Sequence, residues 1–420
     1  MFAFNISIGY TTIASNTESF DIMKMRKTKY LVLIILAFVL TFNGCTGNEM
    51  LFSQSNQPTD ETTTVVHNPK KYEYDSLAQR NYLSDEDKEI YDGIYDAVMT
   101  LCPYKVKHTS SDSEEFTDKV WKILQNSVLT DHPEIFWTDG GGTTSWTVAA
   151  STADYTFEIK YLFDEESIHG YSDRLKSCLN EALAQCPGGS DYDKALWAYE
   201  WIINNSDYDI NTTGPLETGA YGILCYHKST CNGYSKAYQM LLQNLGIPCT
   251  IVSGKANNGT AHGWNVITIE SQSYHVDVTW GDPTNPNDKK ILSHEYFCLS
   301  DDEIKKSRTI NDSKKIPECN STKHNYYVYN SILVKSLNNA SVKKAIKFAC
   351  EQGYDTAEIK FADRELYKKG VQKYVNEEKI FPILAQLKLQ GYKIESGISL
   401  YYTENEDINT LTIDLKSSDD

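Results

Sequence analysis

An α+β protein is predicted from three features of the chain. Apolar residues recur at helical spacing across 84–130, 173–205 and 231–245; strand-like alternation fills 145–163 and 250–280; strand and helix patterns alternate again after residue 325. Together they give N-terminal helices, a mixed core and a small C-terminal α/β module. At 420 residues there is room for two or three domains, since a single domain holds about 100–200 residues.

The elements follow in order. Ser84 with Asp87 starts a helix whose apolar face is Ile90, Ile94, Ala97, Val98 and Leu101, and a second runs from Ser113 to Thr130 on Phe116, Val120, Ile123, Leu124 and Val128, ending before Pro133. Glycines at 140–142 open the β pattern of 145–163, with a turn at Ser151 to Asp154. Helices over 173–186, stopped by Pro187 and Gly188, and over 192–205 come next; 205–230 reads as loop. After it Tyr234, Ala237, Tyr238, Leu241, Leu242 and Leu245 form one apolar stripe, and Gly246 and Pro248 end that helix. Strands are expected around Thr250–Ser253, Gly263–Glu270 and Tyr274–Trp280. The C-terminal part reads as βαβαββ: strand 325–336, helix 340–353, strand 356–363, helix 377–391, and strands over 392–404 and 410–416. The resulting organisation is a signal region over 1–44, a polar tether over 45–71, a helical and β segment over 72–189, a core over 190–300 and the module over 325–417.

Charge and the N-terminus place the protein. A formal charge of −17 argues against nucleic acid or an anionic membrane surface as the main partner, because both are bound through Lys/Arg clusters. Residues 23–45 give a basic region (Lys24, Arg26, Lys27, Lys29), an apolar run from Tyr30 to Phe42 and then Cys45. This resembles a bacterial lipoprotein signal, with the start at Met23 or Met25 and Cys45 as the lipidated residue, although Phe42 and Asn43 stand where an aliphatic and a small residue are usual. The rival is an uncleaved anchor, for which the run is short against the roughly 20 residues that span a bilayer. Both put the protein outside the cytoplasm, on the outer face of the membrane or secreted. Removing 1–44 takes away four basic and two acidic residues and leaves −19. Ten cysteines in an exported chain invite disulfides, whose connectivity the sequence does not give.

One cysteine stands where a helix begins. Cys231 precedes the stripe of 234–245, and there the macrodipole and unpaired amides favour thiolate. His262 stands just ahead of a strand, and Asp277 lies in the next. A nucleophilic thiol needs a base and the base an orienting group, and the chain supplies Cys, His and Asp in that order. Alternation puts His275 and Asp277 on one face, which makes His275 a rival base. Cys225, His227 and Cys231 also lie close, but C-x-H-x3-C matches no common zinc pattern. With no Gly-rich phosphate loop either, no metal and no cofactor are expected.

These residues resemble the transglutaminase-like superfamily, relatives of papain in catalytic architecture. The three motifs are STCNGYSKAYQMLLQNLGIPC, AHGWNVI and YHVDVTWGDP, within about residues 190–285. The resemblance implies a papain-like core in which Cys231 is nucleophile, His262 general base and acid, and Asp277 the orienter of His262. Acyl transfer also needs oxyanion donors: the Cys231 backbone amide is the first and a side chain of the preceding loop the second, for which Tyr221 is the expected residue although the family uses other residue types there; Trp264 and Trp280 are expected to wall the groove. The expected activity is cleavage or transfer at amide bonds of proteins or peptides, cell-wall associated ones included, through a thioester. The alternative is a non-catalytic cell-wall or protein-binding module on the same fold.

Overall fold

The computed structural model describes residues 7–10, 76–109, 111–283, 290–311, 316–395, 399–402 and 408–416. All belong to one of two units, Met1–Ser15 with Val65–Asp420; the other, Asn16–Thr64, lies outside the described residues. The basic and apolar stretches of the signal region, Cys45 and the tether to residue 71 lie outside them as well. No helix among the described residues is long and apolar enough to cross a membrane.

The first described strand, β1 (Ser7–Tyr10), runs parallel to Ser399–Tyr402. The Ser84 hydroxyl accepts from the Asp87 amide at 3.2 Å and starts α1 (Asp85–Thr100), which Leu101 closes in the left-handed region. β2 (Tyr104–Thr109) is a strand that the sequence pattern did not announce. α2 (Ser113–Ile123) continues through a π-helical turn at Leu124–Val128 into α3 (Leu129–Asp131), so the second predicted helix is present with a bulge in it. β3 (Gly142–Ala149) and β4 (Thr152–Ile159) form the expected hairpin, but the reversal falls at Ala150 and Ser151, and β2 completes the sheet in the order β2-β4-β3. α4 (Glu165–Leu183) starts well before residue 173 because Asp164 accepts from the Ser167 amide at 2.8 Å as a cap. Ser190 and Asp193 make a full capping box for α5 (Asp191–Asn205).

The stretch read as loop carries structure. β5 (Asp207–Tyr208) pairs parallel with β6 (Lys228–Ser229), and between them lies α6 (Ala220–Tyr226), joined to α4 by a Cys178–Cys225 disulfide. α7 (Cys231–Asn244) begins at the cysteine, as its periodicity predicts, and Gly246 follows it in the left-handed region. β7 (Cys249–Ala256), β8 (Ala261–Ile269) and β9 (Gln272–Val276) are antiparallel neighbours; Glu270 and Ser271, both at positive φ, make the two-residue turn between the last two. Asp277 thus lies one residue beyond its strand. After α8 (Asp301–Ile304), β10 (Arg308–Ile310) returns to the far edge of β7, giving the order β10-β7-β8-β9.

The C-terminal part departs from the predicted βαβαββ. Residues 325–336 hold the short α9 (Tyr326–Tyr329), capped by Asn325, and only a single bridge from Val334 to Phe361. α10 (Asn339–Gln352) and β11 (Thr356–Lys360) match expectation. α11 (Arg364–Val371), which runs on into a π-helical turn, was not foreseen; α12 (Ile380–Leu389) was. β12 (Ser399–Tyr402) and β13 (Thr410–Asp414) close a sheet in the order β1-β12-β13-β11.

Alternation along β8 sorts its side chains into two cores. Ile267 and Ile269 join Tyr234, Ala237, Tyr238, Leu241 and Leu242 of α7 in the main cluster, while Trp264 and Val266 pack on the opposite face with Val252, Tyr296, Leu299 and Ile304. The sheet is therefore buried on both sides.

Candidate active site

Cys231 is the first residue of α7 and is partly exposed. Thr230 before it makes no side-chain cap, so the amides at the start of the helix are not taken by Thr230. The helix end fits closely against the loop before it. A Cβ on Gly233 would land on the Ser229 side chain and come within 2.9 Å of the Gly219 carbonyl. Ser229 Oγ donates to the Glu217 carbonyl at 2.6 Å, and Asn232 Nδ2 to that of Thr218 at 2.8 Å. His262 and the Gly263 amide both act on the sulfur and favour its thiolate form.

His262 reaches the thiol from the second residue of β8. Asn265, on the other face of that strand, donates to the Ser235 carbonyl of α7 at 3.0 Å and so fixes strand against helix. His262 Nε2 donates to Asp277 Oδ2 at 2.8 Å, which leaves Nδ1 for the sulfur. Asp277 is fully buried. Its Oδ1 accepts the Trp280 amide at 3.2 Å, and its Oδ2 accepts Arg308 Nε at 3.1 Å and Nη2 at 2.7 Å. Arg308, equally buried on β10, has its guanidinium 4.0 Å from the Trp280 ring and 5.2 Å from that of Tyr296.

The electrostatics follow from this geometry. Burial alone would raise the Asp277 carboxyl, but the charges and hydrogen bonds of His262 and Arg308 hold it at about 2. Burial would lower His262, yet Asp277 and the thiol bring it up to about 9, with Arg308 opposing. Burial would raise the Cys231 thiol; His262 and the Gly263 amide outweigh it and draw the thiol below its ordinary value, against the charge of Asp277. A thiolate beside an imidazolium is what such a pair can form near neutral pH.

The structure separates the two candidate bases. Trp264 Nε1 donates to His275 Nδ1 at 3.0 Å, so the proton of the neutral ring sits on Nε2, which donates to Asp301 at 2.9 Å. His275 is fully buried and has both nitrogens engaged away from Cys231. The same bonds bear on metal binding. His275, Asp301 and Cys319 bring ligand atoms within 4.8 Å of one another. The Trp264 bond keeps the proton on Nε2, and burial pushes the Cys319 thiol up to about 12, so two of the three, His275 and Cys319, present protons where a cation needs lone pairs. Of the other trio, Cys225 is held in the disulfide.

The remaining expected residues lie as follows. Trp280 is partly buried at the site, its ring 6.3 Å from that of His262. Trp264 is 1 % exposed and lies in the smaller core, where it bonds His275 and its ring stacks 6.0 Å from that of His262. Tyr221 packs against Phe136, Tyr171 and Tyr226. The phenol in electrostatic range of Cys231 is Tyr208 of β5, raised by burial and by the charges of Cys231 and Asp277. Sequence reasoning missed both Tyr208 and Arg308. Neither sits in a patterned element: one is in a two-residue strand, the other in a three-residue strand.

Residues 180–278 match the family model of the Transglutaminase-like superfamily. No curated protein matches the chain. Among solved structures it is similar to a TGase, at 15% identity and a TM-score of 0.24 over 42% of this chain and 51% of that one. A candidate cysteine protease from Cytophaga hutchinsonii is similar at 16% and 0.23, over 36% and 66%. A candidate protease from Parabacteroides distasonis is similar at 10% and 0.19, over 34% and 37%. The chain thus spans about half the length of the first and 37–66% of the other two.

Proposed function

We propose that the protein is a thiol enzyme acting on amide bonds of proteins or peptides, with Cys231 as nucleophile, His262 as base and acid, and Asp277 as its orienter. What carries this reading is the imidazole of His262, bonded to the buried Asp277 carboxylate and acting on the Cys231 thiol at the start of α7. The transglutaminase-like match over 180–278, which contains all three residues, supports it.

The Cys231 thiolate attacks the amide carbonyl, and the oxyanion takes a hydrogen bond from the Cys231 backbone amide and a second from the Tyr208 hydroxyl. The C–N bond breaks as the imidazolium of His262 gives its proton to the leaving amine, and a thioester remains. Water or an amine then attacks the thioester, losing its proton to His262, and the thiolate leaves. Hydrolysis is the favoured outcome; transfer to a lysine side chain uses the same residues.

We place this enzyme outside the cytoplasm, tethered through lipid on Cys45. Support comes from the Cys178–Cys225 disulfide, a bond that persists in oxidising compartments. The test of function is mass spectrometry of a mixed peptide pool incubated with the protein or with Cys231→Ala, scoring cleavage, glutamine deamidation and amine incorporation separately. Products absent from the variant are expected. Identical pools in both arms, with the peptides merely retained, would favour a binding module instead.

A further inference from the structure

The carboxylate that orients His262 is itself held by a cation that the family match does not reach. Arg308 lies outside residues 180–278, on a three-residue strand that closes the far edge of β7. Its Nε and Nη2 both donate to Asp277 Oδ2, the oxygen that also accepts from His262. The third nitrogen, Nη1, donates to the Ser307 carbonyl at 2.8 Å, and the guanidinium plane lies against Trp280 and Tyr296. Every part of this side chain is engaged, and it is fully buried. Burying a guanidinium and a carboxylate together is costly unless their geometry is good, and a well-packed apolar pair often serves stability as well. Stability alone therefore gives little reason for the pair to be here.

We propose that Arg308 is a positioning residue of this site: it locks Asp277 as an ionised acceptor for His262, and its fixed charge sets the pH range in which the Cys231–His262 pair is charged. Without it Asp277 would bind the imidazolium too strongly, making it a poorer acid toward the leaving amine. Other titratable groups facing the site are Tyr208 of β5, Tyr199 of α5 and Tyr296 beside Arg308. Tyr199 and Tyr208 are both raised, chiefly by burial, and stay neutral through the working range. Arg308 is the one permanent cation bonded to Asp277 among the described residues.

The inference rests on the thiol-enzyme reading, and the test separates the two. Iodoacetamide alkylation of Cys231 is followed by peptide-resolved mass spectrometry from pH 4 to 10 in the wild type, Arg308→Gln and Arg308→Lys, with circular dichroism as the check on folding. Arg308 acts through Asp277 and His262, and a buried unit charge one hydrogen-bonded group away is worth on the order of one pH unit at an effective dielectric of about 20. Loss of the cation should thus move the acid limb of the Cys231 profile upward by about one pH unit in Arg308→Gln, whereas Arg308→Lys, which keeps the charge, stays within about 0.3. A purely structural role lowers the melting temperature and leaves the limb in place. An unmoved limb in folded Arg308→Gln overturns the proposal, as does a Lys variant displaced as far as the Gln variant. Should Arg308→Gln fail to fold even in a stabilising osmolyte, Arg308→Lys decides alone: a retained limb supports the charge role and a full-unit displacement overturns it. A wild-type Cys231 that shows no low acid limb at all defeats the enzyme reading instead.

Discussion

Cys231, His262 and Asp277 were legible because each stands at a boundary that sequence marks: a helix start ahead of an apolar stripe, the opening of a strand, and the end of a short alternating run. What the pattern left open was the choice between His262 and His275, and two hydrogen bonds favour His262. His275 is closed off by Trp264 and Asp301, while His262 bonds Asp277 and acts electrostatically with the thiol. Tyr221 was the expected oxyanion donor, and the proposal moves that role to Tyr208 for a physical reason. Tyr221 and Tyr208 lie in the same Gly- and Thr-rich stretch, and only the chain path of α6 turns the first into an aromatic cluster and leaves the second near the sulfur. Tyr208→Phe is therefore expected to lower kcat by about 100-fold, the usual cost of one oxyanion donor, and to leave the Cys231 alkylation profile where it was. A stopped assay on the peptide found by mass spectrometry reads the first and labelling reads the second; an unchanged kcat removes Tyr208 from the mechanism.

Elements with strong periodicity appeared where expected, and those built on tertiary contact did not. α5 carries its capping box, and α7 its apolar stripe and closing Gly246, in their own sequence. Residues 325–336 look like a strand by composition, but Asn325 caps a helical turn there and the Tyr326 ring stacks on His294 at 3.7 Å, a partner no local pattern announces. β10 is shorter still and exists only as an edge on β7. That edge depends on Gly254, which pairs with Ile310: a Cβ there would land on the Thr309 carbonyl and stand 2.8 Å from the Trp264 ring. Gly254→Ala should then cost about 2 kcal/mol or more in a urea titration, since backbone would have to move. It should also loosen Arg308 and displace the Cys231 acid limb in the direction of Arg308→Gln. Wild-type stability in this variant would mean that β10 is free to shift.

At the scale of the whole molecule, a buried histidine joins the C-terminal sheet to the helices of the first half. His294 Nε2 meets Glu200 of α5 at 2.9 Å and Nδ1 meets Glu358 of β11 at 2.6 Å. Burial would lower this imidazole, but the two glutamates raise it to about 9. Because that lies above the value near 6.5 of an unfolded chain, its contribution is complete below pH 6.5 and disappears as pH rises through about 9. Denaturation at pH 6.5 and 9 should differ by on the order of 2–3 kcal/mol from this group, and the difference should shrink in His294→Asn; an equal difference in both proteins would assign it elsewhere. None of this pairing was legible in sequence, where 94 residues separate His294 from Glu200 and no spacing connects them. The arrangement at Cys231 is the centre of the account, and its most direct test is labelling of the native protein with iodoacetamide at pH 6, resolved peptide by peptide. Cys231 should react faster than the exposed Cys102, with a midpoint well below about 8.5, and His262→Ala should abolish that advantage. Labelling of Cys231 no faster than that of Cys102, and indifferent to His262, would contradict it.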